Sequence, residues 1–118
     1  MNLPHGELLV FAKEVVLKTD NKVQVSCRFP TVPTLSMFIE AAAQCSAAFN
    51  VDNEPKIGFL TMATNVEFLD EVDSLEYIFI VFSEAEVGAY KKFFFEAIDK
   101  VSKISVVRGN FTLVVETN

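Results

Sequence analysis

The chain has no tryptophan, one histidine, two cysteines, four glycines and four prolines in 118 residues. The scarcity of His and Cys removes metal chemistry first. Cys27 and Cys45 form no CxxC pair, and His5 alone offers no cluster of ligands. Two buried free thiols in a reducing compartment are the expectation. Positive charge is also short: ten Lys and Arg stand against sixteen Asp and Glu, a net charge of −6. Nucleic acid draws most of its affinity from a basic face, so it is excluded as a partner. The same deficit excludes an anionic membrane surface. Met1 to Leu9 has no basic start and no long apolar run, so no secretory signal is read and a cytoplasmic location is expected. No linker, repeat or low-complexity stretch interrupts the chain, which points to one domain over 1–118.

The stretch with least charge is Phe29 to Val51, whose one ionic side chain below Arg28 and above Asp52 is Glu40. Pro30, Pro33, Gln44 and several hydroxyls argue against a membrane span and for a buried element of a soluble domain. Apolar residues are otherwise plentiful: 51% of the chain is hydrophobic, twelve residues are Phe, and the mean hydropathy is +0.33. A small domain has little interior, so part of this surface is expected at a subunit interface or along a pocket.

Leu8 to Val16 reads as a strand, and Asp20-Asn21 as a turn. Val23, Val25, Cys27 and Phe29 alternate with polar residues, the period of a half-buried strand that Pro30 and Pro33 end. Leu35 to Phe49 is Ala-rich and reads as a helix that is apolar nearly all round, with Thr34 or Ser36 as its cap. Four strands follow: Ile57 to Phe68, Ser74 to Glu84, Lys91 to Val101 and Ile104 to Thr117. In the last, Val107, Gly109, Phe111, Leu113 and Val115 share a face. The layout is α+β: an antiparallel sheet with one long helix, about residues 35–49, packed on it.

On that helix Ser36, Glu40 and Gln44 fall on one stripe. A carboxylate in an apolar helix costs free energy unless it is paired or functional. Glu40 is therefore either a structural hydrogen-bonding group or a chemical one. Lys91, Lys92, Lys100, Lys103 and Arg108 are the candidate basic patch, with an ordinary solvated surface as the alternative. Phe93, Phe94 and Phe95 are core, interface or the wall of a pocket.

Two segments carry a resemblance. "LPHGELLVFAKEVV", at 3–16, is similar to the start of the 3-hydroxyacyl-acyl-carrier-protein dehydratases, and "FP…P…IEAAAQ", at 29–44, resembles their FPGHP…EAMAQ segment. The final strand, ending in "GNFTLVVE", suits the same family. The resemblance implies a hotdog fold, a homodimer or higher homo-oligomer joined through sheet edges, and an acyl-pantetheine tunnel at the dimer interface. It implies an acyl thioester of acyl carrier protein or coenzyme A as partner, and no cofactor or metal.

The family's reaction eliminates water across C2 and C3 of the thioester. A His handles the C2 proton, and a helix acid from the other subunit protonates the leaving hydroxyl. On this sequence the acid matches Glu40 and the following Gln matches Gln44, but the His falls on Val32, beside Pro33. Thr31 replaces the Gly, and the run up to Glu40 is slightly shorter than in the family. Valine moves no proton, and acid–base terms are worth ~10²–10⁴-fold each. His5 matches the family's non-catalytic Leu-Pro-His and is a weaker candidate for a replacement base. The candidate site is thus Glu40 and His5 for chemistry, with Val32, Pro33, Ser36 and Gln44 around the substrate. The expected protein is a dehydratase-like lyase relative that binds acyl thioesters without the family base, with an active paralogue as a possible partner. The alternatives are a thioesterase using Glu40 and a non-catalytic hotdog interaction partner.

Overall fold

The computed structural model describes residues 11–49 and 58–115. Among the described residues the chain forms six strands and one α-helix. These are β1 (Ala12–Lys18), β2 (Lys22–Arg28), α1 (Leu35–Ser46), β3 (Gly58–Phe68), β4 (Glu76–Val87), β5 (Tyr90–Asp99) and β6 (Ser105–Val115). A 3-10 turn, Ala47–Phe49, extends the helix to the expected end. Among the described residues the first strand runs from Ala12 to Lys18; residues 8–10 of the expected first strand, Ile57 of the third and residues 116–117 of the last lie outside the described residues.

The strands make one antiparallel sheet in the order β1-β2-β4-β5-β6-β3. Period-two patterning decides its faces. Val23, Val25 and Cys27 of β2, Tyr77, Phe79 and Val81 of β4, Phe93, Phe95 and Ala97 of β5, and Val107, Phe111 and Leu113 of β6 point inward and are buried. The helix covers them with Phe38, Ala41, Ala42 and Cys45, all essentially without exposure. Alanine at 41 and 42 lets the helix backbone sit close to the sheet. Phe38 reaches deepest, with ring centroids 5.1 Å from Tyr77, 5.5 Å from Phe29 and 5.9 Å from Phe79. Of the Phe93-Phe94-Phe95 run, the first and third are core, and Phe94 lies on the outer face against Phe82.

Cys27 and Cys45 are free and buried, as expected, and face each other across the sheet–helix boundary with Sγ atoms 3.4 Å apart. Burial pushes the Cys45 thiol well up, and the neighbouring Cys27 adds to this. Neutral thiols there act as small apolar side chains.

One buried carboxylate closes the β5–β6 turn. Asp99 accepts hydrogen bonds from the Ser74 hydroxyl at 2.7 Å, from the Val101 amide at 2.9 Å and from the Ser102 amide at 3.3 Å. The Ser74 bond does most to hold this carboxyl below its ordinary range, against the opposite push of burial, and the two amides help. A depressed folded-state value contributes stability that is present above the unfolded value, 3.8, and lost as pH falls through the folded one. Asp99→Ala is expected to cost about 2 kcal/mol at neutral pH by stranding two amides and a hydroxyl. Urea midpoints of wild type and variant should converge in strong acid; an unchanged gap there contradicts this assignment.

Candidate functional site

The segment before the helix is tied down at both ends. The Phe29 amide donates to the Leu75 carbonyl at 2.8 Å, which joins this segment to the one entering β4. Thr34 caps the helix: its backbone is extended (φ −85°, ψ 169°), and its hydroxyl accepts from the Met37 amide at 3.3 Å. Between these anchors Pro33 is buried and Val32 is half exposed. Across from Pro33 the end of β3 turns away, held by the Leu69 amide donating to Val106 at 2.8 Å. An open groove of about 660 Å³ results, lined by Pro33, Phe68, Leu69, Asp70, Glu71 and Val72. Its lining is mixed: Pro33, Phe68, Leu69 and Val72 are apolar, and Asp70 and Glu71 come from the loop after β3.

Glu40 is not among the groove's lining residues. It sits on the stripe of α1 opposite Phe38, Ala42 and Cys45. The stripe runs Ser36, Glu40, Ala43 and Ala47 and is exposed or partly exposed throughout. Among the described residues Glu40 makes no hydrogen bond or ion pair. The helix therefore holds its one carboxylate outward, with a small residue one turn further along. Gln44 departs from that stripe. It is buried, and its Oε1 accepts from the β1 backbone at Phe11 (2.7 Å) and Ala12 (3.3 Å). Its visible work is to dock the first strand on the helix. His5 lies outside the described residues.

The basic residues do not form one patch. Lys91 and Lys92 open β5, whereas Lys100 and Lys103 follow its far end, roughly 25 Å away at the rise of a strand. Lys91 lies 3.6 Å from Glu86, and Arg108 lies 2.9 Å from Glu67. Among the described residues no group of three His, Cys, Asp or Glu side chains is placed to hold a metal ion. No described helix is long and apolar enough to cross a membrane.

Sequence patterning missed two residues that the structure brings forward. Leu60 and Phe68 pair with the inward-facing Leu113 and Val107, so they too point inward, yet they remain 44% and 51% exposed. Two register shifts, between Leu60 and Met62 and between Thr64 and Glu67, break the alternation of β3 and conceal this from a period-two count. The inner face is thus unfinished along the β3 edge.

A single antiparallel sheet curved on one central helix, with this strand order, defines the hotdog fold, and solved structures bear the assignment out. The dehydratase heterocomplex ApeI:P from Xenorhabdus doucetiae superposes with a TM-score of 0.72 at 15% identity, over 98% of this chain and 89% of that chain. A thioesterase from Haemophilus influenzae gives 0.69 at 12% identity, over 88% and 78%. A hypothetical thioesterase from Streptococcus pneumoniae, solved with coenzyme A, gives 0.64 at 12%, over 89% and 86%. At such identities the likeness is one of fold. No family model matches the sequence, and no curated protein does.

Proposed function

We propose that the chain is a dehydratase-like hotdog protein of fatty-acid or related acyl metabolism. In this reading it binds an acyl thioester, on acyl carrier protein or coenzyme A, at the interface of a homodimer, and it lacks the base for dehydration on its own. The observation that carries the reading is Glu40: an unpaired carboxylate held outward on an otherwise apolar helix, at the position that resembles the family's acid. Two further features support it. The groove beside Pro33 offers the apolar side chains of Phe68, Leu69 and Val72 to a pantetheine arm or acyl chain, with Val32 where the family carries His. The half-exposed, inward-facing Leu60 and Phe68 call for a second subunit along β3. The groove of one subunit and Glu40 of its partner then form one site, in a cytoplasmic dimer.

A second reading, hydrolysis of the thioester with Glu40 as base or nucleophile, is favoured by that free carboxylate and by the thioesterases among the structural neighbours. The neighbour described as a heterocomplex supports a variant of the first reading, in which an active paralogue supplies the missing His. The test is a panel of short and medium acyl thioesters with wild type and Glu40→Gln. The expected result is binding without water elimination, with the variant's stability within about 1 kcal/mol of wild type because the amide is nearly isosteric. Hydrolysis that Glu40→Gln removes establishes the second reading instead. No binding of any thioester, or dehydration within about tenfold of a His-containing relative, overturns the proposal.

A further inference from the structure

The chain has only two cysteines, and the fold sets them against each other. Cys27 lies on β2, and Cys45 lies in the last turn of α1. They stand 18 residues apart in the chain, yet their Sγ atoms are 3.4 Å apart, close enough for one thiol to hydrogen-bond the other. Both belong to the apolar core, at 0% and 1% exposure. The acyl site uses neither. Beside them Gln44 holds the backbone at Phe11 and Ala12. The end of the helix is therefore where α1 grips the first two strands at once.

We propose that this pair is a redox modification site, which hydrogen peroxide converts to a disulfide that staples the helix to the sheet. The sulfurs are already in place. A disulfide bond is about 2.05 Å long, so they have about 1.4 Å left to close, a distance that rotations about the two Cα–Cβ bonds can cover. The chemistry balances. One sulfur gives an electron pair to a peroxide oxygen, the O–O bond breaks, and the thiol proton leaves with the other oxygen as water. The sulfenic acid so formed is attacked by the second sulfur, whose proton joins the departing hydroxide as a second water. The two thiols lose two electrons, and one peroxide becomes two waters. The surroundings select the product. An apolar core accepts a neutral disulfide and disfavours a charged sulfinate or sulfonate. Access sets the rate. Burial pushes the Cys45 thiol up, so a reactive thiolate forms there only when the last turn of the helix opens. Helix ends fray before helix middles, and here only a 3-10 turn, Ala47–Phe49, extends the end. The reduced form can thus open and be oxidised, whereas the oxidised form is tied shut.

The proposal is independent of the acyl-thioester reading. The full chain, reduced and then freed of reductant, is treated with a slight molar excess of hydrogen peroxide. Wild type is expected to lose the mass of two hydrogen atoms and to give, on digestion without reductant, one cross-link between the peptides of Cys27 and Cys45. In urea the unfolding constant of the oxidised form should be about 100-fold below that of the reduced form, because the bond closes a loop in the unfolded chain. Dithiothreitol should restore both the mass and the unfolding constant. Cys45→Ala, which places at 45 the small apolar residue already found at 41 and 42, should show neither the mass loss nor the gain in stability. Thiols that stay reduced, that add oxygen without bonding, or that bond between two chains overturn the proposal. So does a disulfide within the chain that leaves the unfolding constant unchanged.

Discussion

Gly109→Ala is expected to destabilise the fold by about 3 kcal/mol, at the upper end of what overpacking costs. The reason is a close approach between β3 and β6. Two residues of β3, Asn65 and Val66, stand between the pairs Thr64–Asn110 and Glu67–Arg108, opposite the single residue Gly109. Asn65 takes a positive φ of 55° to allow this. Val66 is thereby folded over Gly109, and a Cβ there would meet Val66 Cγ2 at 2.6 Å and Val66 Cα at 2.8 Å. The first atom can rotate away; the second is backbone and moves only if the bulge moves. Val66→Ala in the same chain should recover part of the loss, and a double-mutant cycle by urea unfolding should show coupling of about 1 kcal/mol. Because the bulge shapes the β3 edge and leads into Phe68, Gly109→Ala should also weaken any assembly made along that edge. A loss below about 0.5 kcal/mol would mean that the bulge is not held as described.

Phe38→Ala is expected to cost still more, about 4 kcal/mol, the range for emptying an aromatic site in a packed core. Phe38 has no exposed surface and stands against Phe29, Tyr77 and Phe79. It also meets Phe68 edge-on at 6.4 Å, and Phe68 walls the groove. The cavity should therefore be felt in two measurements: a lower unfolding midpoint and weaker thioester binding. Phe38→Leu, which keeps most of the volume, is the control and should cost under about 1.5 kcal/mol. Equal losses for Ala and Leu would show that the site collapses freely and is not close-packed.

Local chemistry settled most of the elements. Alternation of Val23, Val25 and Cys27 with polar residues, and of Val107, Gly109, Phe111, Leu113 and Val115 on β6, is a property of neighbouring residues, so it was legible without a fold. The Ala-rich helix and its Thr34 cap were legible for the same reason. So was the isolation of Glu40, since no other charge lies near it in the chain. The tertiary structure decided what depends on distant partners. Nothing local says that β3 follows the helix yet lies at the sheet's edge beside β6, or that two register shifts turn Leu60 and Phe68 inward while Phe59 and Met62 face out. Gln44 shares a helical stripe with Glu40 on paper, but the unpaired amides of Phe11 and Ala12 draw its side chain under β1, because buried donors need acceptors. The five basic residues close in sequence are split between opposite ends of β5. Cys27 and Cys45 stand 18 residues apart in the chain, and only the packing of the helix on β2 brings their sulfurs into contact.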